Sequence, residues 1–287
     1  MRDLVRIVAI IGVGLTVCGC NREAAVASSA SASRAVGTAG ATEGAIASAN
    51  ATDAGTPATS TTGVDQGAVK ALERMGAYLR TLKAFQIASD TTRDEVLDNG
   101  QTIEYGGHVD LLVQRPDRLR AEVTSDRQQR FFFYDGKSFT LWAHRANFYA
   151  TVPAPPTLAE LADRLQSKYA IEMPLVDLFY WGTVGHDSGI IQAADDIGPS
   201  QIEGVSCEHY AFRQADVDWQ VWIQQGSYPL PRKIVITTTT EAERPQYTSV
   251  MTWNLAPSYN DAAFKFDPPA DARKIALSEQ PGGTSER

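Results

Sequence analysis

The residues able to do chemistry are few and scattered. The four histidines are His108, His144, His186 and His209, and none belongs to a His-Glu-x-x-His, His-x-His or Cys-x-x-Cys arrangement, so no metal-ligand spacing is present. Cys207 and His209 lie two apart in a strand-like run, Val205, Cys207, His209 and Ala211, and therefore share a face. A thiolate beside an imidazole would be a nucleophile, and a buried structural cysteine is the plainer reading of the same pattern. Asp216 and Asp218 have the spacing of an acid–base pair and equally of two exposed carboxylates at a strand start. There is no Gly-x-Ser-x-Gly elbow and no phosphate-binding loop; the glycine-rich run 182–189 follows a helical segment rather than a strand and reads as a loop. The expectation is a protein without catalytic residues, metal ligands or cofactor, with an unrecognised hydrolase using Cys207 or His209 as the remaining enzyme reading.

What the chain has in surplus is apolar aromatic surface. Phe131, Phe133, Trp142, Phe179, Trp181, Trp219, Trp222 and Trp253 are spread along strand-like and helix-like segments. Such side chains either fill a core or line an apolar cavity, and a cavity needs some of them left unsatisfied by packing.

The elements that would position them are mostly strands. Residues 109–153 form a series of alternating segments: Val109, Leu111 and Val113 against Asp110, Leu112 and Gln114; then Leu119, Ala121 and Val123; then Phe131 to Tyr134, turning at Asp135-Gly136 into 138–143. Asp98-Asn99-Gly100 is a second hairpin signal, joining 84–97 to 101–114. Residues 205–212, 217–224, 233–240 and 247–255 continue the alternation, for roughly nine to eleven strands in all, a number at which antiparallel sheets curl. Val69, Leu72, Met75, Leu79 and Leu82 predict an amphipathic helix over 66–83. Thr157 and Glu160 form a capping box ahead of Leu158, Leu161 and Leu165, predicting a helix over 157–168. Pro174 suits the first turn of a third, short helix through Trp181, apolar nearly all round and therefore buried on more than one side. The fold class expected is α+β: a curved antiparallel sheet forming a half-open barrel, with about three helices on its concave side as a plug or lid.

The ends of the chain read differently. Arg2 and Arg6 precede a short apolar run ending in Leu15-Thr16-Val17-Cys18-Gly19-Cys20, which resembles a bacterial lipoprotein lipobox. The resemblance implies acylation of Cys20, and Asn21 at the next position implies outer-membrane sorting. An ordinary cleaved signal peptide is the alternative. Residues 21–64 are dominated by Ala, Ser, Thr and Gly without periodicity, a disordered tether spanning roughly 35–40 Å. The folded domain is expected over 65–276, with a flexible tail at 277–287. With Cys18 in the leader and Cys20 acylated, Cys207 has no disulfide partner. A formal net charge of −8 argues against nucleic acid as a partner.

Val113-Gln114-Arg115-Pro116-Asp117-Arg118-Leu119-Arg120, followed by Tyr134-Asp135-Gly136-Lys137, resembles the central strands of the LolA/LolB lipoprotein-carrier superfamily. A closer resemblance, over 115–269, is to a family of predicted periplasmic proteins of unknown function with a LolA/LolB-like fold. It is carried by Tyr149-Ala150-Thr151-Val152-Pro153-Ala154-Pro155, by Asp216-Val217-Asp218-Trp219-Gln220-Val221-Trp222-Ile223, by Pro229-Leu230-Pro231-Arg232-Lys233 and by Trp253-Asn254-Leu255-Ala256-Pro257. The resemblance implies an open barrel whose apolar interior takes acyl chains, with Arg115 at the position of a ligand-handling arginine; Arg115-Pro116 as a plain strand terminator is the other reading. The ligand-binding set expected is Arg115, Phe131, Phe133, Trp142, Phe179, Trp181, Trp219 and Trp253. The function expected is a lipid-anchored, non-catalytic periplasmic protein that binds a lipid, acyl chain or lipoprotein segment, against the alternative of an envelope sensor or scaffold for a protein partner.

Overall fold

The computed structural model describes residues 63–181 and 191–280. The lipobox with Cys20, most of the tether, the loop 182–189 and the end of the tail lie outside the described residues.

The predicted first helix is α1, Gln66–Thr81. Asp65 caps it, accepting from the Gly67 and Ala68 amides, and the apolar stripe Val69, Leu72, Met75 and Leu79 is buried. Six strands follow: β1 (Ala84–Val96), β2 (Thr102–Gln114), β3 (Arg118–Ser125), β4 (Gln129–Tyr134), β5 (Ser138–Ala143) and β6 (Phe148–Pro153). Both hairpin signals hold. Gly100 sits at φ 80° between β1 and β2. Gly136 sits at φ 86° between β4 and β5, where a Cβ would meet the Asp117 carboxylate at 2.6 Å. Helix α2 is Leu158–Tyr169, with the Thr157 hydroxyl accepting from the Glu160 amide. Helix α3 is only Asp177–Tyr180, shorter than expected. Leu175 stands in the left-handed region at φ 53°, so the chain cannot be helical from Pro174 onward.

The second half adds β7 (Ala193–Ile202), β8 (Val205–Arg213), β9 (Val217–Gln224), β10 (Pro231–Thr238), β11 (Gln246–Asn254) and a two-residue β12 (Arg273–Lys274). Among the described residues these strands make one sheet, in the order β12-β6-β5-β4-β3-β2-β1-β11-β10-β9-β8-β7. Every pairing is antiparallel except β12 with β6. The sheet is curved and does not close, since β12 and β7 stand at opposite ends of the order. Pro199, Asp195, Asp196 and a bulge at Gly198 blunt the β7 edge.

Strand alternation divides the sheet into two faces. Phe85, Ile87, Leu111, Leu119, Phe132, Tyr134, Phe212, Trp219, Ile236 and Met251 point to one face, where they form a single core with the apolar sides of α1, α2 and α3. Each such side chain contributes about 1.5–3 kcal/mol by burial. The other face carries separate, smaller clusters.

Candidate functional site

The helix-covered face of the sheet is the interior, and Arg115 stands at one end of it. The chain leaves β2 there; the Arg115 amide donates to Lys83 O at 2.8 Å, and Leu158 N at the start of α2 donates to Pro116 O at 3.0 Å. The Arg115 guanidinium lies over the Phe179 ring, 5.6 Å from its centroid. Burial, with Arg80 adding like charge, lowers the Arg115 pKa from its ordinary value. Arg115 Nε is buried without a hydrogen-bond partner, and so are Trp219 Nε1 and Gln114 Oε1. A buried orphan donor of this kind is uncommon and calls for a cause.

Phe179 and Trp181 come from α3 and its C-cap. They are 7 % and 5 % exposed and belong, with Leu178, to the same core as Trp219, which is 3 % exposed and stacks on Phe212 at 4.3 Å. Arg80 Nη1 donates to Trp181 O at 3.3 Å, and Tyr180 donates to Asp163 of α2 at 2.6 Å. Trp253 packs against this core, tilted on Phe85 at 5.4 Å, and donates to Pro231 O at 2.8 Å. The expected ligand-binding residues Arg115, Phe179, Trp181, Trp219 and Trp253 are therefore brought together around one interior.

Phe131, Phe133 and Trp142 are not part of it. In β4, Phe132 and Tyr134 point inward, so their neighbours Phe131 and Phe133 point out of the opposite face, and Trp142 pairs in register with Phe131. The Phe131–Trp142 centroid distance is 5.1 Å. Phe266, from the segment after β11, covers them: it lies 5.3 Å from Phe133, 5.5 Å from Trp142 and 5.1 Å from Tyr149. Arg118 pairs with Asp261 at 2.7 Å and holds that segment to β3. These three aromatics cannot line the interior, because a one-residue step along a strand reverses the side chain.

The interior is polar towards its other end. Ser89 and Ser249, both fully buried, share a hydrogen bond of 2.7 Å. Glu172 follows α2, and burial pushes its carboxyl up to about 7, reinforced by Asp177 and opposed by Arg93.

The family of predicted periplasmic proteins known as DUF2092 matches residues 68–278. The chain belongs to this family. The match runs from α1 past β12 and so takes in the sheet, the three helices and the segment that crosses its outer face. No curated protein matches the sequence. Among solved structures, an uncharacterised conserved protein from Thermus thermophilus is similar, at 12 % identity and a TM-score of 0.42, over 74 % of this chain and 99 % of that one. The Mycobacterium tuberculosis lipoprotein LppX is similar at 13 % identity and 0.43, over 68 % and 100 %. A LolA superfamily protein from Nitrosomonas europaea is similar at 12 % identity and 0.31, over 69 % and 97 %.

In this DUF2092 protein the groups weighed for catalysis are held apart or tied up. His108 pairs with Asp90 at 2.8 Å, His144 lies edge-on to Trp142, and His186 is outside the described residues. Cys207 and His209 do share a face, the outer one. The Cys207 thiol is fully buried, donates to Val205 O at 3.4 Å, and is pushed up in pKa by burial. His209 stacks flat on Trp222 at 3.9 Å, meets Gln220 at 3.0 Å, and is pushed down by burial. Both shifts favour the neutral forms, the reverse of a thiolate–imidazolium pair. Asp218 receives Arg213 at 2.7 Å and Arg244 at 2.8 Å and stays ionised. Among the described residues no group of three metal-ligating side chains occurs, and no helix is long and apolar enough to cross a membrane.

Sequence reasoning missed β7, β12 and the covering role of Phe266. Asp195-Asp196-Ile197-Gly198-Pro199 has no alternation to read. The Phe264-Lys265-Phe266 alternation before Pro268-Pro269 was the available signal for the covering segment.

Proposed function

We propose that this periplasmic-family protein is a non-catalytic binding protein, anchored to the outer membrane through acylated Cys20, that holds an acyl chain in the interior of its open sheet. The observation that carries the reading is α3: one helical turn, with no side-chain cap, whose Leu178, Phe179 and Trp181 occupy the interior. Burial of three such side chains is worth on the order of 6 kcal/mol. An acyl chain gains about 0.8 kcal/mol per buried methylene, so roughly eight methylenes offset the displacement of the plug. Shorter chains do not. Arg115, with its unpaired Nε, would then meet an anionic or ester head group beside the displaced Phe179.

The test is lipid capture by the Cys20→Ala chain. Native mass spectrometry is expected to show one bound lipid or uptake of palmitate; hexanoate is expected to be refused, and Arg115→Ala to weaken palmitate at least tenfold. A chain that neither carries nor acquires any lipid overturns the reading. In cells, fatty-acid labelling is expected to be lost in Cys20→Ala; unchanged labelling refutes the anchor. The closeness of the packing around Phe179, Trp181 and Trp219 favours a second reading, a scaffold for an envelope protein. Its mark would be one stoichiometric protein partner recovered by pull-down whatever the lipid load.

A further inference from the structure

The outer face carries a cavity that the interior reading does not use. It has a volume of about 370 Å³ and lies between β4–β6 and the covering segment, next to Phe266. Phe133, Tyr149 and Phe266 form its aromatic walls, and Ser138, Thr140 and Thr151 supply three hydroxyls. Thr140 is buried, and its Oγ1 lies 2.9 Å from Thr151 Oγ1, so this pair keeps one donor and further acceptor capacity. Ser138 Oγ donates to Asp135 at 3.2 Å and keeps its acceptor capacity. Asp135 also lines the cavity, but its Oδ1 is taken up by its own turn, through the Lys137 and Ser138 amides. At the mouth stand Lys265 and Lys274, both exposed, and among the described residues neither has a carboxylate within ion-pair distance.

This combination selects among ligands. An acyl chain would leave the one remaining donor of the Thr140–Thr151 pair without a partner, which costs about 1–3 kcal/mol where that hydroxyl is buried. A flat aromatic ligand would do the same. A sugar ring suits both surfaces: its C–H face packs on the negative face of an aromatic ring, and its hydroxyls exchange hydrogen bonds with Ser138, Thr140 and Thr151. The volume lies near the small end of ligand pockets, room for a short saccharide rather than a long one. Two lysines against one engaged carboxylate favour an anion. We propose that the Phe133–Tyr149–Phe266 cavity is a binding site for an acidic saccharide, on the opposite side of the sheet from the interior.

The test is calorimetric titration of the full chain with D-glucuronate, D-glucose and acetate. Glucuronate is expected to bind at least tenfold more tightly than either glucose, which lacks the charge, or acetate, which lacks the ring. Lys274→Glu, an exposed change that leaves the fold alone, is expected to cut glucuronate affinity at least tenfold while leaving glucose unaffected. Phe266→Ala is expected to weaken both sugars. Failure of all three compounds to bind at millimolar concentration overturns the proposal, as does equal affinity for glucuronate and glucose, or glucuronate binding indifferent to both variants. Palmitate capture in the interior is expected to proceed unchanged in Lys274→Glu.

Discussion

The two faces of one sheet are built by the same alternation and end in different states. The inner face is continuous: residues from β1 to β11 and from all three helices belong to one core. The outer face is broken into islands. One is Phe131, Phe133, Trp142 and Phe266; another is Cys207, Trp222 and Val235, with His209 stacked on the tryptophan. Between them lie polar cross-strand partners such as Gln86 and Asp110. A sheet with one covered face needs apolar residues only at alternate positions. Where apolar residues occupy both parities, as in Phe131 to Tyr134 and Val221 to Ile223, something must cover the second face as well, and the segment after β11 does so for the first of these runs.

The sharpest test of this contrast is a matched pair of truncations. Phe85 is 1 % exposed on the inner face; Phe266 is partly exposed on the outer one. Phe85→Ala is expected to cost about 3–5 kcal/mol, as for a fully buried aromatic. Phe266→Ala is expected to cost about 1–2 kcal/mol, because part of its surface already meets water. Urea unfolding measures both. Equal losses would mean that the outer cluster is as much a core as the inner one.

The next effect is polar. Ser89 and Ser249 satisfy each other in full burial. Ser249→Ala strands the Ser89 hydroxyl, and a stranded buried hydroxyl costs about 1–3 kcal/mol. Restoring the balance with Ser89→Ala is expected to recover most of that loss. A double variant no better than the single one would show that Ser249 acts through another neighbour, for which Tyr247 is the candidate.

Glu172 gives the inner face a pH dependence. Its carboxyl is raised from 4.5 to about 7 in the fold, by burial above all, against the pull of Arg93 and with a smaller push from Asp177. The native chain therefore holds a proton that the unfolded chain has released, and stability falls as pH rises from about 4.5 to about 7. Glu172→Gln keeps the neutral form. The variant is expected to match the parent at pH 4 and to exceed it at pH 8, by thermal melting across the series. A parallel pH profile for the two would remove Glu172 from the inner face's polar end.

Much of the fold could be read from local chemistry. Asn99-Gly100 and Asp135-Gly136 mark their hairpins because the turns need positive φ; Asp65 and the Val69-to-Leu79 stripe mark α1. Three things could not be read. Leu175 in the left-handed region shortens α3, and nothing about a leucine announces that conformation. Strand parity says which residues share a face within β4, but with aromatics at both parities it does not say which face meets the helices, so Phe131, Phe133 and Trp142 were expected on the wrong side. The Ser89–Ser249 contact joins positions 160 apart in sequence, where serine at either one reads as an ordinary solvated residue. Phe179 and Trp181 could be placed inside because the run from Leu175 to Trp181 is apolar nearly all round, and Trp219 because Val217, Val221 and Ile223 share its parity.

The smallest effect bears on how the outer islands are fastened. Arg118 and Asp261 form a pair at 2.7 Å, with Asp261 three-quarters exposed, and Arg118 also lies 6.0 Å from the Phe264 ring centroid. Exposed pairs of this kind contribute about 0.2–1 kcal/mol, because water competes for both partners. Phe266 among Phe133, Trp142 and Tyr149, and the amides of Arg273 and Ile275 donating to Asn147 and Tyr149, supply the rest of the attachment. Asp261→Asn is therefore expected to leave global unfolding within about 1 kcal/mol of the parent while speeding hydrogen exchange at Arg273 and Ile275, since the segment opens locally at lower cost. Exchange at Leu111 and Val221, in the inner core, is expected to stay unchanged. If those inner amides speed up in step with the outer ones, the covering segment and the inner core open as a single cooperative unit, and the two faces differ in composition but not in stability.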